Sequence, residues 1–216
     1  MNTPFIRNHQ YNLIKKQVGQ LQHACNNGAD PKVIEAVEFN ALCKISDSFP
    51  ELSDLQKHTL EKFVGLRKTE EFQQYFFSLE PYLEAFSQVT GKKIQKLFPK
   101  NKKLKTPNLN VIDHHKISYL GWVDIATQKL FIVYHLNGQT VGIQGRYTPA
   151  SKGVCFLCNG IGDVALFSAI TKYKPANASP DYYKAIGNYM CVDSEECNKK
   201  ITDVAVLEKF LHEVLY

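Results

Sequence analysis

A chain of 216 residues is long enough to form one large or two small domains, each with its own hydrophobic core. Hydrophobic residues make up 44% of it and aromatic residues 12%, which is typical of a folded protein, and no apolar run approaches the roughly 20 residues that cross a bilayer. A formal net charge of +5 permits an acidic or RNA partner without requiring one. We therefore expect a soluble, cytoplasmic protein that does not enter a membrane.

The beginning of the chain has helical periodicity. Apolar residues recur three or four positions apart in the set Leu13, Ile14, Val18, Leu21 and Cys25. The sequence Asn26-Asn27-Gly28 then predicts a left-handed helix stop, because glycine and asparagine tolerate a positive φ. Asp30-Pro31 supplies an N-cap and the first residue of a second helix.

Two further helices follow. Ser53, with Gln56 three residues later, forms the capping box of a third helix. Thr69 caps a fourth, which Pro81 kinks or restarts before the apolar positions up to Val89. Because four amphipathic helices joined by short loops are most simply an antiparallel bundle, we predict such a bundle over residues 1–90.

A lysine segment follows the helices, over residues 92–105. It contains no acidic residue and carries Lys92, Lys93, Lys96, Lys100, Lys102, Lys103 and Lys105. One interpretation is a contact to RNA phosphate or to an acidic protein face. The other is a solvated helix end and linker, anchored by Ile94, Leu97 and Phe98, because no base-stacking aromatic residue interleaves with the lysines.

Beyond the lysine segment the apolar pattern changes to a period of two. Residues 118–123 and 129–134 are rich in β-branched and aromatic residues, as half-buried strands are. Asn137-Gly138 is a strong signal for a two-residue hairpin turn, and it leads into a strand at 140–143. We therefore expect a small antiparallel sheet in a C-terminal α/β domain over residues 91–216.

Four cysteines follow these strands in two close pairs, Cys155 with Cys158 and Cys191 with Cys197. Two separated thiolate pairs can together complete a tetrahedral zinc site that neither pair could complete alone. Two disulfides are an alternative, but the chain shows no signal peptide pattern. A CxxC redox pair is another, but it normally opens a helix in a βαβ unit, which is missing around Cys155.

An amphipathic helix is predicted after the last cysteine, with its apolar face at Val204, Leu207, Phe210, Leu211 and Val214. A cysteine knuckle, a strand pair and a helix in that order make a treble-clef zinc finger. Four thiolates leave no open position for water, so we expect a structural zinc and neither catalysis nor a small-molecule substrate. Asp113-His114-His115 resembles part of a metallophosphoesterase motif, but further Asp and His clusters are lacking, which favours a surface turn.

Three stretches carry a family resemblance: residues 118–122, 152–158 and 189–203. Together they resemble the FusB-type fusidic acid resistance proteins, which bind elongation factor G and contain a treble-clef zinc finger. The resemblance extends to Pro4, to residues 9–12 and to residues 96–100, so it covers essentially the whole chain. It implies an α+β protein with an N-terminal helical bundle and a C-terminal α/β zinc domain.

The resemblance also implies a function. Members of the family bind the C-terminal domains of elongation factor G through the zinc module and release the factor from ribosomes stalled by fusidic acid, without catalysis; we expect a monomer. Two aromatic positions of the family's binding face match Tyr189 and Phe210, although aromatic residues beside a zinc centre also pack as core. A basic position of that face is Ile186 here, and an aromatic one is Val154. A zinc-finger module that binds RNA or the ribosome through residues 92–105 is the alternative.

Overall fold

The computed structural model describes residues 3–101 and 104–216, so Lys102 and Lys103 of the lysine segment lie outside the described residues. The chain divides into two compact units, Met1–Glu84 and Ala85–Tyr216. The first is helical and the second contains a five-stranded antiparallel sheet, which confirms the predicted α+β class. Among the described helices, none is both long and apolar enough to cross a membrane.

Over residues 3–84 the first unit contains four α-helices: α1 (Asn8–Asn26), α2 (Pro31–Asp47), α3 (Asp54–Glu61) and α4 (Thr69–Leu79). α1 packs most extensively against α2 and also contacts α4. The side chains that fill the core include Ile14, Leu21, Phe63, Phe72 and Leu79.

The predicted helix ends of this unit are mostly confirmed. Gly28 has a φ of +64° after α1, and Asp30 Oδ1 accepts a 2.8 Å hydrogen bond from the Lys32 amide at the start of α2. Ser53 and Gln56 form the capping box of α3. The fourth helix differs from the prediction, because Lys68 and not Thr69 occupies its N-cap position. The Glu71 carboxylate accepts hydrogen bonds from the backbone amides of Arg67 and Lys68, which precede the helix.

The predicted helix beyond Pro81 is wrong. A short 3-10 turn covers Glu80–Tyr82, and Leu83 is extended and forms a parallel bridge with Ile6. The carbonyl of Tyr82 accepts hydrogen bonds from the amides of Phe5 and Ile6, so the N-terminal segment takes the acceptor that a continuing helix would have used. The helical spacing of the apolar residues after Pro81 was therefore misleading.

The sheet of the second unit has the order β1-β2-β3-β4-β5, so each strand pairs with its neighbour in sequence. The strands are β1 (Leu120–Asp124), β2 (Lys129–Leu136), β3 (Gln139–Val154), β4 (Ile161–Ile170) and β5 (Ala185–Cys191). At the turn between β2 and β3, Asn137 and Gly138 have φ values of 49° and 76°, as a type I′ hairpin requires, which confirms that prediction.

The two faces of this sheet are covered differently. Helix α5 (Gly91–Leu97) and the segment after it pack on one face of β1 to β3, where the rings of Phe98, Trp122 and Phe131 contact one another. Helix α7 (Ala205–Leu215) and the cysteine pairs cover the other face with a larger apolar cluster. That second cluster surrounds the four cysteines and holds their elements in place.

Candidate metal centre

Three separate elements supply the four cysteines. Cys155 and Cys158 lie on the knuckle between β3 and β4, Cys191 ends β5, and Cys197 lies in helix α6 (Ser194–Lys200). The knuckle closes tightly because the Cys155 amide donates to the carbonyl of Gly160 at 3.0 Å, while Asn159 adopts a φ of 55°. Knuckle, strand pair and helix thus follow one another as predicted for a treble clef.

The sulfur atoms of these cysteines form a compact cluster. Sγ of Cys155 lies 3.8 Å from that of Cys197, and Sγ of Cys158 lies 3.6 Å from that of Cys191. All four sulfurs lie within 4.8 Å of one another. A disulfide would require about 2.05 Å, whereas a regular tetrahedron with Zn–S bonds of about 2.3 Å has edges of about 3.8 Å. The geometry excludes disulfides and fits zinc.

The electrostatics of the cluster also favour a cation. Hydrogen bonds from Cys158 and from the other two thiols hold the pKa of Cys155 far below its ordinary value. The same contacts act oppositely on Cys197, where hydrogen bonding with Cys155 raises the pKa. One thiolate is thus stabilised by its neighbours and then opposes ionisation of the rest. A dication removes that opposition, so the four side chains fit Zn²⁺ as the predicted cofactor.

The two aromatic residues expected on a binding face differ in exposure. Tyr189 lies on β5 and is 50% exposed. Phe210 lies on α7 and is only 4% exposed, with its ring 5.5 Å from that of Phe156 and 5.7 Å from that of Phe167. Burial of Phe210 favours the packing alternative for this residue. Direct contact with a partner would need movement of α7.

The remaining sequence candidates lie apart from the cysteines. The described lysines of the lysine segment, Lys92, Lys93, Lys96, Lys100 and Lys105, are exposed. Asp113 caps a 3-10 turn at His114–Lys116 by accepting the His115 amide at 3.0 Å, which agrees with a surface turn. At the two positions where this chain departs from the family's binding face, Val154 is exposed and Ile186 is partly buried.

Two residues beside the cysteines, Tyr119 and Asn198, were not predicted from the sequence as part of the site. Both are almost fully buried, and Asn198 directly follows Cys197 on α6. The only sequence signal for Asn198 is its place beside a ligand candidate, because a lone asparagine in a polar stretch resembles any surface residue. Tyr119 lies in a strand pattern that does not reveal where its hydroxyl points.

Comparisons with known proteins cover most of the chain. A family model described as "Elongation factor G-binding protein, N-terminal" matches residues 5–87, and one described as "FBP C-terminal treble-clef zinc-finger" matches residues 97–210. A solved structure, described as that of the fusidic acid resistance protein FusC, is 30% identical with a TM-score of 0.78 and is matched over 97% of both chains. No curated protein sequence matches.

Proposed function

The chain belongs to the family of elongation factor G-binding proteins with a C-terminal treble-clef zinc finger, and we propose that it binds elongation factor G and confers resistance to fusidic acid. The observation that carries this proposal is the similarity to FusC over 97% of both chains, which includes both units. A translation factor as partner also means that the protein acts in the cytoplasm.

The proposed mechanism is release of the factor from the ribosome by binding linkage. A protein that binds elongation factor G more tightly in a conformation incompatible with its ribosomal site shifts the equilibrium towards the free factor. The drug is neither modified nor exported in this mechanism, and no bond of any substrate is broken. The protein acts as a monomer and without catalysis.

Zinc has a structural role in this proposal. We assign Cys155, Cys158, Cys191 and Cys197 as its four ligands, with Cys155 and Cys197 buried and the other two partly buried. Because four thiolates fill a tetrahedral site, the ion holds the knuckle, β5 and α6 together and leaves no position for a reacting water.

The proposed binding face lies on β5 beside the zinc centre. Tyr189 pairs across the sheet with Leu166, which pairs in turn with the exposed Thr148, so the three side chains share one face. We propose that the C-terminal domains of elongation factor G dock on this face. Phe210 contributes to this face indirectly, because its buried ring packs against that of Phe156 in the knuckle.

Binding is tested with purified protein and purified elongation factor G, without ribosomes or RNA. Calorimetry or gel filtration should detect a complex at micromolar concentrations, and Tyr189→Ala should weaken it at least tenfold. Tyr173→Ala is the matched control, since Tyr173 is a similarly exposed tyrosine in a loop of the same unit. If the unmodified chain forms no complex, the proposed binding of elongation factor G is refuted. If both variants lower the affinity equally, Tyr189 is not part of the binding face.

Release from the ribosome needs a separate assay. Ribosomes stalled with elongation factor G and fusidic acid are mixed with the protein and sedimented, and the factor should move from the pellet to the supernatant. Tyr189→Ala at the same concentration should release less of it. Binding without release would keep the partner and refute the mechanism.

The RNA-binding alternative retains support from the exposed lysines at positions 92, 93, 96, 100 and 105. Affinity for RNA that depends on phosphate contacts falls steeply with salt. A direct test measures binding of the protein to ribosomal RNA between about 50 and 200 mM salt, where six or more phosphate contacts would lower the affinity roughly a thousandfold. A complex with elongation factor G that is insensitive to salt and RNA favours the first function.

A further inference from the structure

The hydroxyl of Tyr119 is an unusual buried polar group. The residue is 0% exposed, and within the described part of the chain its hydroxyl oxygen has no hydrogen-bond partner of normal geometry. Tyr119 belongs to the same buried cluster as Cys155 and Cys197. A buried donor without an acceptor costs about 1–3 kcal/mol, so its place beside Cys197 calls for an explanation.

Zinc supplies that explanation, because a metal-bound cysteine is a thiolate that only accepts hydrogen bonds. We propose that Tyr119 donates a hydrogen bond to Sγ of Cys197 in the zinc-loaded centre and that Asn198 holds Tyr119 in position to do so. This inference rests on the zinc ligands assigned above. It makes Tyr119 and Asn198 positioning residues of the centre, since neither binds the metal.

Asn198 joins the start of β1 to α6 through a fully used side chain. Its Oδ1 accepts from the amides of Ser118 at 2.7 Å and Tyr119 at 3.2 Å. Its Nδ2 donates to the carbonyls of Tyr119 at 3.0 Å and Ser194 at 2.9 Å. A carboxamide offers two donors and two lone pairs, so every bonding position is occupied. Since Asn198 is the residue after Cys197, this network fixes Tyr119 relative to that sulfur.

Ser194 and Gly121 complete the arrangement. A Cβ at position 121 would lie 2.5 Å from Oγ of Ser194 and 2.8 Å from Cε2 of Tyr119, so only glycine allows α6 to approach β1 this closely. The ring of Tyr119 and the side chain of Ser194, at the start of α6, thus lie against the same glycine, which places Tyr119 beside the helix that carries Cys197.

The test is Tyr119→Phe in the full chain, which removes one oxygen and keeps the ring. Loss of a hydrogen bond donated to a ligand sulfur should lower zinc affinity about 10–100-fold, measured by competition with a chromophoric chelator. With Co²⁺ in place of zinc, the sulfur-to-metal charge-transfer band should move to lower energy, because an unbonded thiolate holds its electrons less tightly.

The matched control is Tyr134→Phe in the same unit. The Tyr134 hydroxyl is also part of a buried side chain, but it donates to Oε1 of Glu208 at 2.6 Å. This variant should lose stability while its Co²⁺ spectrum and metal affinity stay as in the unmodified chain. The band shift therefore separates donation to sulfur from a general loss of packing.

Asn198→Asp tests the second part of the inference, since it keeps the acceptors and removes both donors. We expect lower metal affinity and a band shift in the same direction as in Tyr119→Phe. If the Tyr119 hydroxyl merely lacks a partner, Tyr119→Phe will stabilise the zinc-loaded protein and leave affinity and spectrum unchanged, which would overturn the inference. Failure of the unmodified chain to bind Co²⁺ or zinc would instead overturn the ligand assignment.

Discussion

The two compact units are stabilised in different ways. In the first, contiguous helices surround a core of apolar side chains, and local side-chain caps stabilise the starts of α2 and α3. In the second, the sheet core includes two of the four clustered cysteines, which are far apart in sequence. The units also differ in charge: nine basic and eleven acidic residues in the first, seventeen and ten in the second. We expect only the second unit to depend on metal.

Cys197→Ser should have the largest effect. Binding free energy at a structural zinc site is also folding free energy and amounts to about 10 kcal/mol in small fingers. The variant should lose its zinc by elemental analysis and the cooperative unfolding of its sheet, while the helical signal of the first unit remains in circular dichroism. Cys43→Ser, at an exposed free cysteine, is the control and should keep both. If the metal-free variant were fully folded, the second unit would not depend on metal as we expect.

Phe72→Ala should have the opposite pattern of effects, because it destabilises the first unit and leaves the metal centre of the second unit unchanged. Phe72 is fully buried in the apolar core of this unit, so we expect a loss of about 3–5 kcal/mol in its unfolding free energy. Zinc content should not change. Phe77→Ala, at an exposed phenylalanine of the same helix, should cost little. Denaturant unfolding with zinc analysis measures both, and loss of zinc in Phe72→Ala would show that the units are not independent.

Gly138→Ala tests how much the hairpin turn between β2 and β3 contributes to the stability of the second unit. Because Gly138 has a φ of 76°, an alanine there should cost about 1–2 kcal/mol in thermal unfolding. Gly162→Ala is a suitable control, since its φ is not positive and no atom lies within 4 Å of the added Cβ. Equal melting temperatures of the two variants would argue against strain at the turn.

Glu38→Gln should have the smallest effect, about 1 kcal/mol in the first unit. Glu38 accepts from the Gly65 amide at 2.6 Å and from Nη1 of Arg67 at 3.0 Å. Desolvation opposes its ionisation, but these partners outweigh it and lower the pKa of Glu38. The stabilisation is therefore present above the ordinary pKa and is lost as pH falls through the lowered one. A variant with an unchanged pH profile of unfolding would contradict this account.

The sequence patterns predicted most local features but not the tertiary ones. Glycine and capping signals act within four residues, so Gly28, Ser53 and Asn137-Gly138 were correctly interpreted. Cysteine spacing was equally informative because tetrahedral ligation limits which pairs can meet. Beyond Pro81 the helical periodicity failed, since pairing with Ile6 competes for the same backbone groups. The bonds of Asn198 depend on residues about 80 positions away that no local pattern records.

The assembly of the cysteine cluster has a consequence for the order of events during synthesis. Cys155 and Cys197, which lie 3.8 Å apart, are separated by 42 residues, and Asn198 joins Ser118 across 80 residues. The ribosome delivers the chain from its N-terminus at about 5–20 residues per second, and domains generally fold as units. The first unit can therefore fold while the chain is still being made. Metal capture must wait until α6, which supplies Cys197, has also been made.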